Sequence, residues 1–384
     1  MKIIPKKKRE KQEKEPLVRF THLHVHSHYS LLDGLSKIDE LINYVKSMGM
    51  ESVALTDHGV LYGAVDFAKE AKKQGVKPII GCEFYVAIDG MDQKRPGIDD
   101  ERHHIIFLAK NKKGYQNLVK MVSKSHLDGF YYKPRIDEDL MREHSEGIIA
   151  LSGCIQGKIP QLIVKKRFEE AKDTALKYQQ IFGKENFYLE IQDHPAMKEQ
   201  SIANKGMISI SKSTGIPLVA TNDCHYLKPE DSDAHDILVL VNTGANINTE
   251  KRINMKEYDL SMRSPKDMFD TFKETPSAIE NTQKIADQCN FEFEFDNIKL
   301  PYFPVPDKKT DNDYLKELTM LGLDSKCKKH NPSIVKDRID FELKVIADAN
   351  FASYFLIVQD LVNWAKEKRI IVGPGRGSVG GSLV

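Results

Sequence analysis

Short apolar runs in this chain are repeatedly flanked by side chains that bind metals. The pattern opens at His22-Leu23-His24-Val25-His26. It continues through Ala54-Leu55-Thr56-Asp57-His58, Ile80-Gly81-Cys82-Glu83 and His103-His104-Ile105-Ile106-Phe107-Leu108. It closes with Leu151-Ser152-Gly153-Cys154, Tyr188-Leu189-Glu190 and Ala220-Thr221-Asn222-Asp223-Cys224-His225. His24 and His26 lie two apart, so on extended backbone both point to one face and offer two imidazoles to one ion. Asp33 follows in a turn, Leu31-Leu32-Asp33-Gly34, that can bend back over the strand end. Imidazole and thiolate suit zinc, whereas carboxylates suit harder ions and also bridge two metals. Gathering so many of these groups without cations would pile up charge and unpaired polar atoms. The alternative, a hydrogen-bonded polar network with no metal, stays open for single members. His22 is either a ligand or a supporting group, and Asp57 is a candidate for orienting a ligand. Cys82 and Cys224 should alternate away into packing, and only one of His103 and His104 should face the site. His126, His144, His194, His235 and His330 read as surface or supporting residues, with His194 near a strand end. A multinuclear site with open positions points to phosphate-ester hydrolysis, because metals acidify a water and neutralise the phosphate.

These side chains need a frame that brings strand ends together. Residues 20–225 alternate strand-like runs with amphipathic helices. Strands are expected at 20–27, 52–55, 76–86, 104–109, 147–151, 186–191 and 217–221, with Ser36 capping a first helix whose face is Ile38, Leu41, Ile42, Val45 and Met48. Ala64, Phe67, Ala68 and Ala71 mark a second helix, and Phe168, Ala171, Ala175, Tyr178 and Phe182 another. Such alternation predicts a parallel α/β sheet, closed or nearly closed as a seven-stranded barrel with its site at the C-terminal mouth. An open doubly wound sheet is the competing architecture. Beyond about residue 290, a Pro-marked stretch from Leu300 to Pro306 reads as a linker, followed by helices near 335–349 and 354–368 and a Gly-rich end.

The 384 residues allow two domains or one barrel with an appendage. A formal net charge of +1 neither favours nor excludes nucleic acid through the overall field. The five Cys form no CxxC pair, which points to a reduced, cytoplasmic protein. There is no apolar run of about 18 residues and no signal-peptide core, so no membrane partner is expected. The basic arm Lys6-Lys7-Lys8-Arg9 reads as a solvated tail, with phosphate contact as the lesser reading.

Taken together, His22–Ser27, Tyr29–Gly34, Leu55–Gly59 and Thr221–Tyr226 resemble the PHP (polymerase and histidinol phosphatase) domain, in the version that opens bacterial replicative DNA polymerase III alpha subunits. Tyr354-Phe355-Leu356-Ile357-Val358 and Gly373-Pro374-Gly375-Arg376-Gly377-Ser378 resemble the start of that family's palm domain. The resemblance implies a disordered arm over 1–17, a PHP domain over 18–290, a linker over 291–310 and a truncated palm over 311–384. It implies two or three divalent ions, zinc and/or manganese, held by His24, His26, Asp33, His58, Glu83, His104, Cys154, Asp223 and His225. His24, His26, Glu83 and Asp223 would share one ion, Glu83, His104 and Cys154 a second, and Asp33, His58 and His225 a third. Glu83, Asp223 and His225 would be catalytic. The loop Gly375, Arg376, Gly377 and Ser378 would cradle nucleotide phosphates, with magnesium serving the polymerase part.

On this reading the chain is the N-terminal fragment of a polymerase whose catalytic aspartates lie further on. Its PHP domain is expected to be a 3′–5′ exonuclease that proofreads. Lys133 and Arg135 would hold the single-stranded 3′ end of DNA, with Tyr131 and Tyr132 stacking on bases, and the rest of the polymerase and the replisome would be its partners. A metal-binding scaffold without catalysis and a small-molecule phosphatase of the histidinol-phosphate type are the alternatives. Residues 290–384 are expected to leave part of their apolar surface uncovered.

Overall fold

The computed structural model describes residues 19–249, 252–295, 300–326, 332–373, 375 and 377–384. The basic arm and Arg376 lie outside the described residues. The chain divides into two compact units, the first ending at Phe293 and the second beginning at Glu294.

The first unit is built on β1 (Ser52–Leu55), β2 (Lys77–Ala87), β3 (Arg102–Ala109), β4 (Arg135–Ile136), β5 (Ile148–Leu151), β6 (Phe187–Gln192) and β7 (Leu218–Thr221), ordered β1-β2-β3-β5-β6-β7 with β4 beside β2. Its helices are α1 (Ile38–Ser47), α2 (Ala64–Gln74), α3 (Lys112–Leu127), α4 (Glu138–Glu143), α5 (Lys158–Val164), α6 (Phe168–Phe182), α7 (Lys198–Thr214), α8 (Ser232–Thr243), α9 (Pro265–Thr271) and α10 (Pro276–Gln288). The helical stripes fall as the spacing predicts: α1 buries Ile38, Leu41, Ile42 and Val45, and α6 buries Ala171, Ala175, Tyr178 and Phe182. Ser36 does not cap α1. Lys37 holds the cap position without a side-chain bond, and the Ser36 carbonyl accepts from His28 N at 2.8 Å.

The expected first strand is extended backbone joined on both sides. Ala54 N donates to His22 O at 2.9 Å and Thr56 N to Val25 O at 2.8 Å. On the other side His26 N donates to Cys224 O at 2.8 Å and Cys224 N to His24 O at 3.1 Å. The segment thus links β1 to the end of β7 and curls the sheet round on itself. The all-parallel expectation needs one correction, since β3 runs antiparallel to both β2 and β5. The cause is the connection: no helix separates β2 from β3, and a loop without a crossover helix returns the chain beside itself in the opposite sense.

Strand alternation separates two layers. Ile80, Cys82, Phe84, Ile105, Phe107, Leu189 and Ile191 join the core beneath the helices. Leu23, Ala54, Ile79, Ile106, Leu108, Leu151, Tyr188 and Val219 fill the interior of the curl, together with Ile285, Ala286 and Cys289 of α10 and its cap. Above this apolar plug the same interior columns become polar, at Glu83, His104, Glu190 and Asp223.

The second unit holds α11 (Asp311–Lys326), α12 (Pro332–Asp348) and α13 (Ala352–Glu367). Its small core is Leu315, Ile346, Ala352 and Leu356, while Phe341, Leu361, Trp364 and Ile371 are exposed. Glu342 accepts from Arg338 Nε and Ser382 Oγ, each at 2.6 Å, and from Leu383 N at 2.8 Å. Among the described residues no single helix is long and apolar enough to cross a membrane, although α12 and α13 pass that test as a bent pair.

Arg135 corrects another expectation. It is fully buried, and its guanidinium donates to the carbonyls of Gly129 (3.1 Å), Asp99 (3.2 Å), Met91 (3.1 Å) and Gln93 (2.7 Å). Buried, and with four of its five N–H donors spent on carbonyls, this side chain is not placed to hold a DNA strand; it ties down the loop over 88–101. Arg135→Ala would take the guanidinium donors from the carbonyls of Met91, Gln93 and Asp99, at a cost of roughly 3 kcal/mol. The expected readouts are a lower melting temperature and faster amide exchange across 88–101, with little recovery by Arg135→Lys. Unchanged exchange in that loop would remove this role.

Candidate metal centre

The mouth of the curl gathers all the expected ligands of the first unit into one buried cluster. Glu83 on β2 lies at its centre and is 1% exposed. His104 Nδ1 is 2.7 Å from Glu83 Oε1, and His24 Nε2 is 3.5 Å from the same oxygen. Glu83 Oε2 meets His58 Nδ1 in a close contact and His26 Nε2 at 3.9 Å. Cys154 Sγ is 3.9 Å from Glu83 Oε1 and 3.6 Å from His104 Nδ1. Asp223 Oδ1 lies 3.0 Å from His24 Nε2 and 3.2 Å from His26 Nε2. Asp33 reaches His58 Nε2 at 3.1 Å and His225 Nε2 at 3.8 Å. Three groups of donor atoms fall close enough together for one ion each: His24, His26 and Glu83; Glu83, His104 and Cys154; and His26, His58 and His225.

Local backbone explains the convergence. Because β3 is antiparallel, His104 stands near its N-terminal end yet reaches the same mouth as Glu83, and it is His104 rather than His103 that does so. A Cβ at Gly153 would lie 2.6 Å from His104 O, so glycine allows the turn carrying Cys154 to pass close to β3. A Cβ at Gly34 would lie 1.9 Å from Ser27 O, which keeps the Asp33 turn folded against the strand end. Asp223 adopts φ 52°, a left-handed conformation that Asp tolerates better than most residues.

Hydrogen bonds behind the cluster fix the tautomers. Glu190 Oε1 accepts from His24 Nδ1 (2.8 Å), Gln192 Nε2 (2.9 Å) and Thr221 Oγ1 (2.5 Å). Ser30 Oγ gives its hydrogen to Asp57 at 2.7 Å, so it must accept from His26 Nδ1 at 3.0 Å. Both histidines therefore carry a proton on Nδ1 and turn Nε2 inward. The two Nε2 atoms are 3.1 Å apart and both face Asp223 Oδ1, itself buried without a hydrogen-bond donor. Two lone pairs and a carboxylate oxygen at that spacing require a positive charge between them. Asp33 Oδ1 and Glu83 Oε2 are likewise buried without donors. The donor set thus fits divalent ions, and Asp57 supports a ligand from behind, as expected.

Protons take the cation's place when no metal is bound. Burial opposes charge on His24, but Asp223 and Glu190 raise its pKa well above the ordinary imidazole value. Asp33 and Glu83 do the same for His58 against a similar burial cost. Burial, with Asp223 and Glu83 nearby, pushes the Cys154 thiol well up. Burial and the neighbouring imidazoles of His58 and His225 push His26 down to about 3.

Other expectations resolve individually. His22 stays out of the cluster, bonding Arg263 O at 2.8 Å and facing Cys224 Sγ at 3.4 Å. Cys82 and Cys224 pack in the core, as alternation implied. His144, His194 and His235 are buried rather than superficial, and His235 Nε2 holds Asp33 O at 2.9 Å. His330 lies outside the described residues. Lys133 remains at the rim, its Nζ 5.5 Å from the Tyr85 ring, which also neighbours His58 and His104. In the second unit Gly375 and Gly377 are exposed, and Gly377 with Ser378 belongs to a short 3-10 turn, Gly377–Gly381. The position of Glu190 among the metal-type side chains was visible in the sequence; its task of gripping His24 from behind was not.

Comparison with known proteins follows the two units. Residues 22–194 match the PHP domain family, and residues 313–384 match the bacterial DNA polymerase III alpha NTPase domain. The chain is 46% identical over 369 residues to the DNA polymerase III subunit alpha of Borreliella burgdorferi, covering 95% of this chain and 32% of the relative. It is 42% identical over 367 residues to that of Treponema pallidum, covering 95% and 31%. The chain therefore spans about a third of the length of the curated relatives it matches. Among solved structures, a two-domain protein from Bacteroides vulgatus described as containing a predicted PHP-like metal-dependent phosphoesterase aligns at 14% identity and a TM-score of 0.32, over 57% of each chain.

Metal binding should release protons, because ions must displace those on His24, His58 and Cys154. Raised pKa values mean these groups hold protons at neutral pH, so apparent affinity should rise with pH, roughly tenfold per unit for each proton displaced. Calorimetric titration of zinc or manganese in buffers of differing ionisation heat measures the number released. Glu83→Gln should bind fewer ions; wild-type stoichiometry in that variant would remove Glu83 from the centre.

Proposed function

We propose, for a chain that belongs with the bacterial DNA polymerase III alpha subunits and carries their PHP domain, that this domain is a metal-dependent phosphodiesterase trimming the 3′ end of single-stranded DNA. The observation that supports it most is the pair of inward Nε2 lone pairs of His24 and His26 facing an undonated Asp223 oxygen, a polar pocket that needs cations. Ligation by His24, His26, Asp33, His58, Glu83, His104, Cys154, Asp223 and His225 is part of this reading, and so is the division into a PHP domain over 18–290, a linker over 291–310 and the opening of a polymerase palm over 311–384. Zinc or manganese bound there would supply positive charge to the scissile phosphate and acidify the attacking water.

The protein's own groups would do the rest. Glu83 holds the imidazoles of His58 and His104 in register from inside the barrel. Asp223, its side chain 14% exposed, stands at the solvent side with the buried His225 beside it, where a proton of the attacking water can be taken up. Lys133 at the rim would pair with backbone phosphate. Water oxygen joins phosphorus, the bond from phosphorus to the penultimate 3′ oxygen breaks, and that oxygen leaves as a hydroxyl. The terminal residue departs as a nucleoside 5′-monophosphate. The setting of this activity would be cytoplasmic, within a longer polymerase chain and its replisome partners.

Incubating 3′-labelled single-stranded DNA with the protein and manganese should release labelled mononucleotide, and Asp223→Asn should lower the rate by at least 100-fold. If the wild type binds metal, gains thermal stability from it and leaves the label intact, the domain is a scaffold. If it hydrolyses small phosphate monoesters but no polynucleotide, it is a phosphatase.

A further inference from the structure

Beside the cluster lies a cleft of about 430 Å³, lined by Asp100, Arg102, His103, His104, Gln156 and Lys165 among others. That volume falls within the range of small-molecule pockets, roughly 300–1,000 Å³. His104 belongs to both places: it touches Glu83 on the inside and lines the cleft with its outer edge, its side chain 18% exposed. The lining combines two cations, Arg102 and Lys165, with two carboxylates, Asp100 and Glu101, and with neutral hydrogen-bonding groups. Lys165 is exposed and, among the described residues, has no ion-pair partner. Arg102 spends one donor on Asp100 O at 2.7 Å, lies 5.7 Å from the Tyr85 ring and enters no ion pair among the described residues. His103 Nδ1 is buried and finds no hydrogen-bond acceptor or donor, and neither does Asp100 Oδ1. The amide groups of Gln156 and Gln161 complete the wall. Two cations outside ion pairs, carboxylates and buried polar atoms without partners, and a shared edge with the metal-type cluster suit a small ligand that carries an anionic group at one end and hydrogen-bond donors at the other.

We propose that this cleft is a mononucleotide subsite, which receives the terminal nucleoside 5′-monophosphate as it is split from the strand. Arg102 and Lys165 pair with its phosphate, and the amides of Gln156 and Gln161, with His103 and Asp100, meet its sugar and base. The inference rests on the exonuclease reading for its biological sense, but the binding itself needs no catalysis. A nucleotide is favoured over bare phosphate because the cleft is several times larger than a phosphate ion and carries both donors and acceptors.

The test is direct binding of thymidine 5′-monophosphate, followed by calorimetry or saturation-transfer NMR with metal removed by a chelator. Saturable binding is expected, tighter than that of inorganic phosphate or thymidine, and weakened at least tenfold by Lys165→Glu. Lys165 is exposed, so that variant should fold; Arg102→Gln is the second variant and should act in the same direction. Lys73→Glu, on a remote helix, is the control for general charge. Binding that is absent, or equal in wild type and Lys165→Glu, overturns the subsite even if labelled DNA is trimmed. Binding that is present and Lys165-dependent, in a protein that leaves DNA intact with metal bound, sustains the subsite and rejects the exonuclease.

Discussion

A single carboxylate, that of Glu83, organises the first unit. It is buried in the interior of a barrel, where an isolated ion would cost several kcal/mol after relaxation. The fold surrounds it with His24, His26, His58, His104 and Cys154, drawn from four different parts of the chain. Each neighbour is useful only if its own strand ends at the same height. The apolar plug of Leu23, Ile79, Ile106, Leu151 and Val219 below, with α10 beneath it, sets that height. Placement of β2, the longest strand at eleven residues, makes Glu83 common to two donor groups rather than the property of one.

Much of this was legible. Alternation of apolar and metal-type residues located β1, β2, β3, β5, β6 and β7 to within two residues, because the interior columns obey a period of two right up to the polar layer; the two-residue β4 was not foreseen, and 20–27 is extended backbone outside the named strands. Glu83 and His104 meet for the same reason, whereas Cys154, Asp33 and Asp223 are brought in by turns at or beyond strand ends. What escaped reading depends on partners remote in sequence. The reversal of β3 follows from a connection that lacks a helix, and a loop of unremarkable composition does not announce its direction. Arg135 sits in a basic, aromatic segment that looks like a DNA contact, but its guanidinium is claimed by carbonyls roughly 40 residues earlier. Glu190 and Ser30 set imidazole tautomers through hydrogen bonds, and no spacing rule encodes which nitrogen of a histidine carries the proton.

The second unit obeys a different economy. Among the described residues its core cluster is four buried side chains with partly buried aromatic and aliphatic residues around them, while several large apolar residues of α12 and α13 face solvent. Helical periodicity revealed α12 and α13 but not α11, whose buried stripe is thinner. Glu342 compensates locally by collecting an arginine, a serine and main-chain donors around one carboxylate, and these contacts push its pKa down to about 2 against the opposing effect of burial.

The reversal of β3 has a consequence for how such a domain diversifies. In a barrel of strictly parallel strands, each crossover must travel the full height of the barrel, and its length is constrained by that path. Here both ends of the connection over 88–101 open at the mouth, since Ala87 ends one strand where Arg102 begins its antiparallel neighbour. Residues added to or removed from that connection change the wall over the cluster without altering the register of any strand or the apolar plug. One hairpin can therefore be lengthened or shortened over the mouth while the ligand geometry beneath stays set by the strands.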